Sequence, residues 1–274
     1  MRQQPVHLPP ARRTLRSGMS ARTFPAQGLP PRQAGLSLVE LMVALAIGSL
    51  LILGATELYI NNKAHFQFQQ GQLGNQENAR YTLLLLDQQL ARTGYRYLPQ
   101  DGLEVAFPAL ASSNGCPSFK AGQTYQASSD GKGVCLRYQG ASDSTTEVAG
   151  SNGNQYDCLG AFVPRGTRVL TRISYVAGST PGDGTLTCTA QGASEQALIK
   201  GVAGFALFTL PTSTDDSQAI SYAALLATGA STRGGMSSDV ASRWKTLSGA
   251  TLSENTAYVY QIAQGSVMLR NLMP

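Results

Sequence analysis

The sequence contains few charged residues and few of the groups that enzymes use. Asp, Glu, Lys and Arg make up only 14% of its 274 residues, and only two residues are histidines, His7 and His65. The sequence patterns of a serine hydrolase, a zinc protease and a phosphate-binding loop are all absent. No catalytic residue and no cofactor-binding residue is therefore predicted, and the chain is not expected to be an enzyme.

The four cysteines lack the spacing of a metal site. No pair is separated by two residues, and no histidine lies near them, which argues against zinc. An even number of cysteines after an apolar segment favours disulfides, with three possible connectivities. We favour pairing in sequence order, because each pair brackets a glycine-rich, hairpin-like stretch: Cys116 with Cys135 and Cys158 with Cys188. No metal ligands are predicted.

Acidic residues are absent from the first 35 residues, which contain six arginines. Removing these six from the 21 basic residues of the chain leaves 15, against 16 acidic residues. The net charge of +5 therefore belongs to the amino-terminal segment, and the remainder is close to neutral. Nucleic-acid binding requires a basic surface that neutralises phosphates, so no nucleic-acid partner is expected.

An apolar run extends from Leu36 to Ala55. Twenty helical residues span about 30 Å, which is the thickness of the hydrocarbon core of a bilayer. The arginines before this run predict a cytoplasmic amino terminus, hence a single-pass membrane protein with its carboxyl-terminal part on the other side. A secretory signal has a shorter apolar run with its cleavage site after it, whereas here the small residue Gly35 stands before the run.

Glu40 is a carboxylate within this apolar run. A charge inside a membrane helix costs about 2.5–3.5 kcal/mol on insertion scales, so it is expected to be retained for a partner. Cleavage after Gly35 would create such a partner, the ammonium group of Leu36 on a neighbouring chain. In the alternative interpretation Glu40 extends to the lipid headgroups and has no further role. Spacing alone does not separate the two.

The segment Gly35-Leu36-Ser37-Leu38-Val39-Glu40-Leu41 resembles the class III signal of type IV prepilins and type II secretion pseudopilins. This resemblance implies that prepilin peptidase cleaves after Gly35 and methylates Leu36, and that Glu40 assists assembly by neutralising a neighbour's amine. Leu36 departs from the more usual phenylalanine or methionine. The implied leader, residues 1–35, is long, and Met19 offers an internal start.

Proline is absent between Pro31 and Pro99, an interval long enough for one extended helix over residues 36–93. Residues 36–60 are interpreted as a transmembrane and filament-core helix, and residues 61–94 as its amphipathic continuation. Gly71 and Gly74 predict local melting or a bend, since each costs about 1 kcal/mol relative to alanine, and Gly94 predicts the end of the helix. The apolar face of the second half is predicted to contain Leu73, Ala79, Leu83, Leu86 and Leu90.

Residues 95–274 are rich in turn-forming residues and predict an extracytoplasmic β-rich domain. Turn residues 180–185 and a short helix carrying Trp244 are expected, with residues 211–218 and 229–240 as loops. Strands are predicted at 134–138, 167–176, 186–189, 204–210, 257–263 and 267–271. The predicted fold class is α+β, a pilin-like ladle in which the second half of a long helix packs on an antiparallel sheet.

Several short segments of residues 92–271 resemble the PilW family of minor pilins. They are RTGYR (92–96), CLRYQG (135–140), DCLG (157–160), LTC (186–188), IKGVAGF (199–205) and LRN (269–271). This resemblance implies a minor pilin that primes pilus assembly and lies at or near the pilus tip, on the cell surface. The implied partners are other minor and major pilins, prepilin peptidase, the pilus assembly machinery and the inner membrane. A type II secretion pseudopilin and a membrane-anchored adhesin that never polymerises remain alternatives.

Overall fold

The structure, a computed structural model, describes Gly35 and residues 37–209, 219–229, 238–251 and 257–273. The chain divides into two compact units, the first ending at Leu53 and the second beginning at Gly54. A long amino-terminal helix is followed by antiparallel sheets in a carboxyl-terminal domain, so the predicted α+β, pilin-like layout is confirmed.

Helix α1 comprises Leu38–Ala91. No proline interrupts it, and it ends where Gly94 adopts a positive φ of 74°, a conformation that favours glycine. The local melting predicted at Gly71 and Gly74 is wrong, because the helix continues through both residues. Asn75 is buried one residue after Gly74, so packing of this turn against the domain offsets the low helix propensity of the two glycines.

The β structure forms two antiparallel sheets rather than the single sheet that the sequence predicts. The first contains five strands in sequence order: β1 Tyr125–Ala127, β2 Gly133–Gln139, β3 Arg168–Val176, β4 Thr185–Ala190 and β5 Gln196–Lys200. The second contains three: β6 Val202–Thr209, β7 Ala219–Ala227 and β8 Tyr260–Met268. The short helices are α2 Leu103–Ala106, α3 Ser238–Ser248 and the 3-10 turns Pro181–Asp183 and Arg270–Leu272.

The predicted strands near residues 134–138, 167–176, 186–189 and 204–210 correspond to β2, β3, β4 and β6. The two strands predicted at 257–263 and 267–271 are instead the single strand β8, because Gly265 continues the ladder opposite Tyr222. Residues 238–240, predicted as loop, begin α3, which carries Trp244 as expected. The predicted loop 211–218 and residues 230–237 of the other predicted loop lie outside the described residues.

The face of α1 that packs on the sheets differs from the predicted apolar face. Leu73 is 65% exposed, whereas Leu85, which was not predicted, is buried. Polar residues share the packed face: the Asn75 side chain donates a hydrogen bond to the Val259 carbonyl at 2.9 Å, and the Thr82 hydroxyl donates within the helix. Because these polar groups are satisfied internally, they occupy core positions that a hydrophobicity pattern cannot identify.

The three-stranded sheet is covered on both faces. Along β7, Tyr222, Ala224 and Leu226 pack in the cluster that includes Leu86 of α1, whereas alternate residues such as Leu225 pack with Trp244 of α3. A Cβ atom at Gly204 would collide with the Trp244 ring, so glycine is required where the indole lies on the strand. A strand buried on both faces is mostly apolar, and the one small polar residue of β7 is Ser221, near its start.

Two disulfides hold the loops of the five-stranded sheet. Cys116 is bonded to Cys135 and Cys158 to Cys188, the pairing in sequence order that the sequence favours, with Cα–Cα distances of 5.9 and 6.4 Å. The first joins the segment before β1 to β2, and the second joins the long loop between β2 and β3 to β4. Both loops are thus fixed to strands in the middle of the sheet.

Arg137 on β2 is a buried cation, only 4% exposed. Its guanidinium lies 5.5 Å from the centroid of the Phe107 ring and 5.2 Å from that of Phe119. It donates hydrogen bonds to the carbonyl oxygens of Gln123 and Pro108, at 3.0 and 2.7 Å. The segment before β1 is therefore held on the sheet by a charged side chain as well as by a disulfide.

Candidate processing and assembly segment

The start of α1 is capped by Ser37. The Ser37 carbonyl accepts a hydrogen bond from the Leu41 N–H at 3.1 Å, and the Ser37 hydroxyl oxygen accepts one from the Glu40 N–H at 3.4 Å. Serine followed three residues later by glutamate is the capping-box pattern, so this role of Ser37 was available from the sequence and was missed. Gly35 is exposed just before this cap, and Leu36 lies outside the described residues.

The surface of α1 from Leu38 to Ile60 is uncovered. Fourteen large apolar side chains in this stretch are each at least 52% exposed. Burying one such side chain is worth about 1.5–3 kcal/mol, so covering the whole stretch is worth tens of kcal/mol. A surface of this size is not stable in water and requires lipid or other proteins around it. Within the described residues, α1 is the one helix long and apolar enough to cross a membrane.

The hydroxyl of Ser49, inside the apolar stretch, does not need an external partner. It donates a hydrogen bond to the Ala46 carbonyl at 2.8 Å, one turn back along the helix. Helices in lipid tolerate serine because this bond satisfies the hydroxyl within the same helix.

Glu40 differs from Ser49 because its carboxylate makes no hydrogen bond or ion pair with another described residue. It is also the one charged residue between Leu38 and Thr56. The positive end of the helix dipole favours an acid in the first turn by about 0.3–1 kcal/mol, which is less than the cost of about 2.5–3.5 kcal/mol for placing that acid in a membrane. The difference is offset either by the headgroup region, if Glu40 extends to it, or by a cationic group of another chain.

Three acidic turns could suggest calcium binding, but the carboxylates of Asp130, Asp157 and Asp183 already accept hydrogen bonds from their own loops. The hydroxyls of Thr180 and Ser179 donate to a carboxylate oxygen of Asp183 at 2.8 and 2.9 Å, and these bonds lower the pKa of Asp183. Within the described ranges, no three His, Cys, Asp or Glu residues are grouped in a way that could hold a metal ion. His65 lies on the exposed surface of α1.

The profile of the Prokaryotic N-terminal methylation motif matches residues 30–56, a small part of the chain. Neither a curated protein nor a solved structure matches the sequence. The motif contains Gly35, Ser37 and Glu40, and it overlaps the uncovered apolar part of α1. It indicates a type IV pilin-like or pseudopilin-like protein, anchored in a membrane by α1. It also implies processing by prepilin peptidase and assembly with pilus-type machinery, and it suggests a structural protein rather than an enzyme.

Proposed function

We propose that this protein is a minor type IV pilin of the PilW type, which primes pilus assembly and lies at or near the pilus tip with other minor pilins. Prepilin peptidase removes residues 1–35 and methylates Leu36. Before assembly the mature chain is a single-pass protein of the inner membrane with a periplasmic β-rich domain, residues 95–274. It is then extracted into the filament, where residues 36–60 join the core and residues 61–94 continue the helix.

The observation that carries this proposal is the uncovered apolar helix with one carboxylate near its start, Glu40, that has no partner among the described residues. A simple anchor needs the apolar surface but gains nothing from Glu40, which lowers its affinity for lipid. A subunit that is repeatedly transferred from membrane to filament gains specificity from the same carboxylate, since an ammonium group on the adjacent helix compensates its charge. Two opposite charges about 4 Å apart attract by about 4 kcal/mol at an effective dielectric constant of 20, which exceeds the insertion cost.

The short segments that resemble the PilW family support the finer assignment, because several contain residues with specific structural roles. Gly94 ends α1, Arg137 is the buried cation of β2, and Gly204 leaves space for Trp244. The cysteines of three segments form parts of the two disulfides. Residues of this kind constrain the fold of a domain, so the resemblance lies at positions where substitution is costly rather than at random surface positions.

A minor pseudopilin of a type II secretion system is the second candidate, because the methylation motif is common to both classes. Neighbouring genes for pilus or for secretion components would separate these two. A membrane-anchored adhesin that never polymerises is the third candidate, and it differs from the others in having no use for Glu40.

The test replaces Glu40 by glutamine in the full-length chain and uses Glu57→Gln as the matched control. Glu57 is the next acidic residue along α1, and it is also exposed. Both variants are expressed in a strain that lacks the wild-type gene, and surface filaments are quantified in a sheared fraction. The intact mass of the membrane-extracted protein shows whether it begins at methylated Leu36.

Glu40→Gln is expected to be processed normally but to reduce surface filaments at least tenfold, whereas Glu57→Gln restores them as the wild type does. A tenfold loss corresponds to about 1.4 kcal/mol, well below the expected strength of the ion pair. Normal filament formation by Glu40→Gln would refute the assembly role, and a mature protein that retains residues 20–35 would refute the processing step.

A further inference from the structure

Strand β8 is an edge of the three-stranded sheet. Its nine residues, Tyr260–Met268, pair with β7 in a continuous antiparallel register from Ala219–Met268 to Ala227–Tyr260. On its other side no strand pairs with it in the part of the chain that the structure describes. Every second residue of β8 therefore directs a backbone N–H and a carbonyl away from the sheet, and these groups can bond to an added strand.

The other sheet edges are protected in ways that β8 is not. Strand β1 has only three residues, the pairing of β5 with β4 shifts register and β5 ends in Lys200, and the pairing of β6 with β7 shifts register twice. Strand β8 has no proline, no charged residue and no register shift. Proteins normally block long regular edges by such devices, so an unblocked nine-residue edge indicates a surface that binds another strand.

A groove flanks this edge on each face of the sheet. Towards α1, a groove of about 390 Å³ lies between Gln261–Gln264 of β8 and helix residues that include Ala79, Arg80 and Leu83. Towards α3, a groove of about 420 Å³ lies between the same part of β8 and Asp239, Val240 and Arg243. An added strand directs alternate side chains to opposite faces, so successive residues would enter the two grooves in turn.

The two grooves differ in the side chains they accept. In the α1 groove, Ala79, Leu83 and Ala263 are apolar, and the one charge is Arg80, which is exposed and forms no salt bridge with a described residue. In the α3 groove, Arg243 is already bonded to the Gln264 side chain at 3.0 Å, and Asp239 lies beside it. The occupant that fits is an extended segment with an apolar residue facing α1 and a carboxylate within reach of Arg80.

The direction of β8 argues against a second copy of the chain as this occupant. Asn75 bonds to Val259 before β8, and Asn271 bonds to the Ala91 carbonyl after it, so β8 runs in the same direction as α1. Two copies joined by antiparallel β8 strands would carry residues 75–91 of their α1 helices in opposite directions, whereas subunits added head-to-tail to one filament all have the same direction. Parallel pairing of two β8 strands about an exact two-fold axis would place equivalent residues of the two copies side by side, with their side chains on opposite faces of the sheet. Adjacent strands of a sheet require neighbouring residues to direct their side chains to the same face, so the two strands would not fit together.

We propose that β8 accepts an extended segment of a different, neighbouring subunit, which adds to the three-stranded sheet as a fourth strand during assembly. Antiparallel addition is the expected mode, since antiparallel pairs are more frequent and slightly more stable than parallel ones. This proposal rests on the proposed function, because the neighbour is a subunit of the same filament.

The test measures backbone amide exchange over residues 260–268 in the full-length mature protein. Exchange is followed by mass spectrometry in the detergent-solubilised monomer and in sheared filaments. In the monomer, every second amide of β8 is expected to exchange rapidly. In filaments the exchange of the same amides is expected to slow at least tenfold, while exchange in β5, one edge of the other sheet, is unchanged.

Two variants and one matched control sharpen this test. Arg80→Glu is expected to reduce the filament yield. The control is Glu77→Arg, which changes an exposed residue on the preceding turn of the same helix and is expected to leave the yield unchanged. Ser266→Cys, placed on exposed β8, is expected to give no disulfide-linked homodimer under oxidation.

Three results would overturn the proposal: protection of β8 already in the monomer, equal exchange in monomer and filament, or efficient Ser266→Cys homodimers. A strain that makes no filaments containing this protein would instead overturn the proposed function, and with it this inference.

Discussion

Replacing the buried Arg137 by methionine tests whether a cation, rather than apolar packing alone, holds the segment before β1 on the sheet. Methionine has a similar length and fits between Phe107 and Phe119, but it cannot donate to the Pro108 and Gln123 carbonyl oxygens. The substitution therefore removes the charge and the hydrogen bonds while leaving most of the volume filled.

The expected loss is the balance of three effects. Two part-buried carbonyl oxygens that lose their donor cost about 1 kcal/mol each, and the loss of two cation–π contacts costs about 0.5–2 kcal/mol each. Against this, burial together with the nearby Arg168 charge lowers the pKa of Arg137, which shows that the buried charge itself is unfavourable. Removing that charge recovers part of the loss, so the net destabilisation is expected to be about 2–3 kcal/mol.

The measurement is calorimetric unfolding of the detergent-solubilised chain, and the matched control is Arg165→Met. Arg165 also lies over an aromatic ring, 5.3 Å from the centroid of Tyr97, but it is exposed. For a domain of this size, Arg137→Met should lower the melting temperature by about 4–12 °C, since each kcal/mol shifts it by about 2–4 °C. Arg165→Met should change it by less than about 2 °C. Equal small shifts for both variants would show that the aromatic packing suffices without the cation.

Two further predictions concern the second unit. Removing the Cys158–Cys188 disulfide with a double alanine substitution should destabilise the domain by about 3–4 kcal/mol, because it closes a loop of 30 residues. Urea unfolding measures this loss, and an unchanged midpoint would contradict it. Burial, with a smaller contribution from Asp87, raises the pKa of Tyr222 to about 12. The unfolded state then loses this proton first, so the stabilisation is present below pH 10 and about 2–3 kcal/mol is lost as pH rises to about 12. Tyr222→Phe should flatten that decline in pH-dependent unfolding, and a curve parallel to the wild type would contradict it.

Local chemistry made much of the layout predictable. The lack of proline and the apolar run predict α1, and the positive φ of Gly94 explains why its end was also correctly placed. Strand β3 follows from alternation and β-branched residues, and the hairpin-like stretches between cysteines led to the correct disulfide pairing. In each case the signal lies within a short stretch of sequence.

The remaining features depend on contacts between distant segments. Strand β7 was missed because its two faces are buried by different helices, which removes the alternation that marks a half-exposed strand. Asn75 was not predicted on the packed face, because its partner, Val259, is 184 residues away. The capping role of Ser37 is different, because its serine–glutamate spacing is a local signal that the sequence itself contains.

Trp244 is the single tryptophan of the chain, and it is 3% exposed between α3 and the three-stranded sheet. Its fluorescence therefore reports on one junction of the molecule. A blue-shifted emission marks docking of α3 on β6, while events around Phe107 or within the membrane stretch leave that emission unchanged. Comparing tryptophan emission with calorimetry would thus show whether the two sheets unfold together or in separate steps.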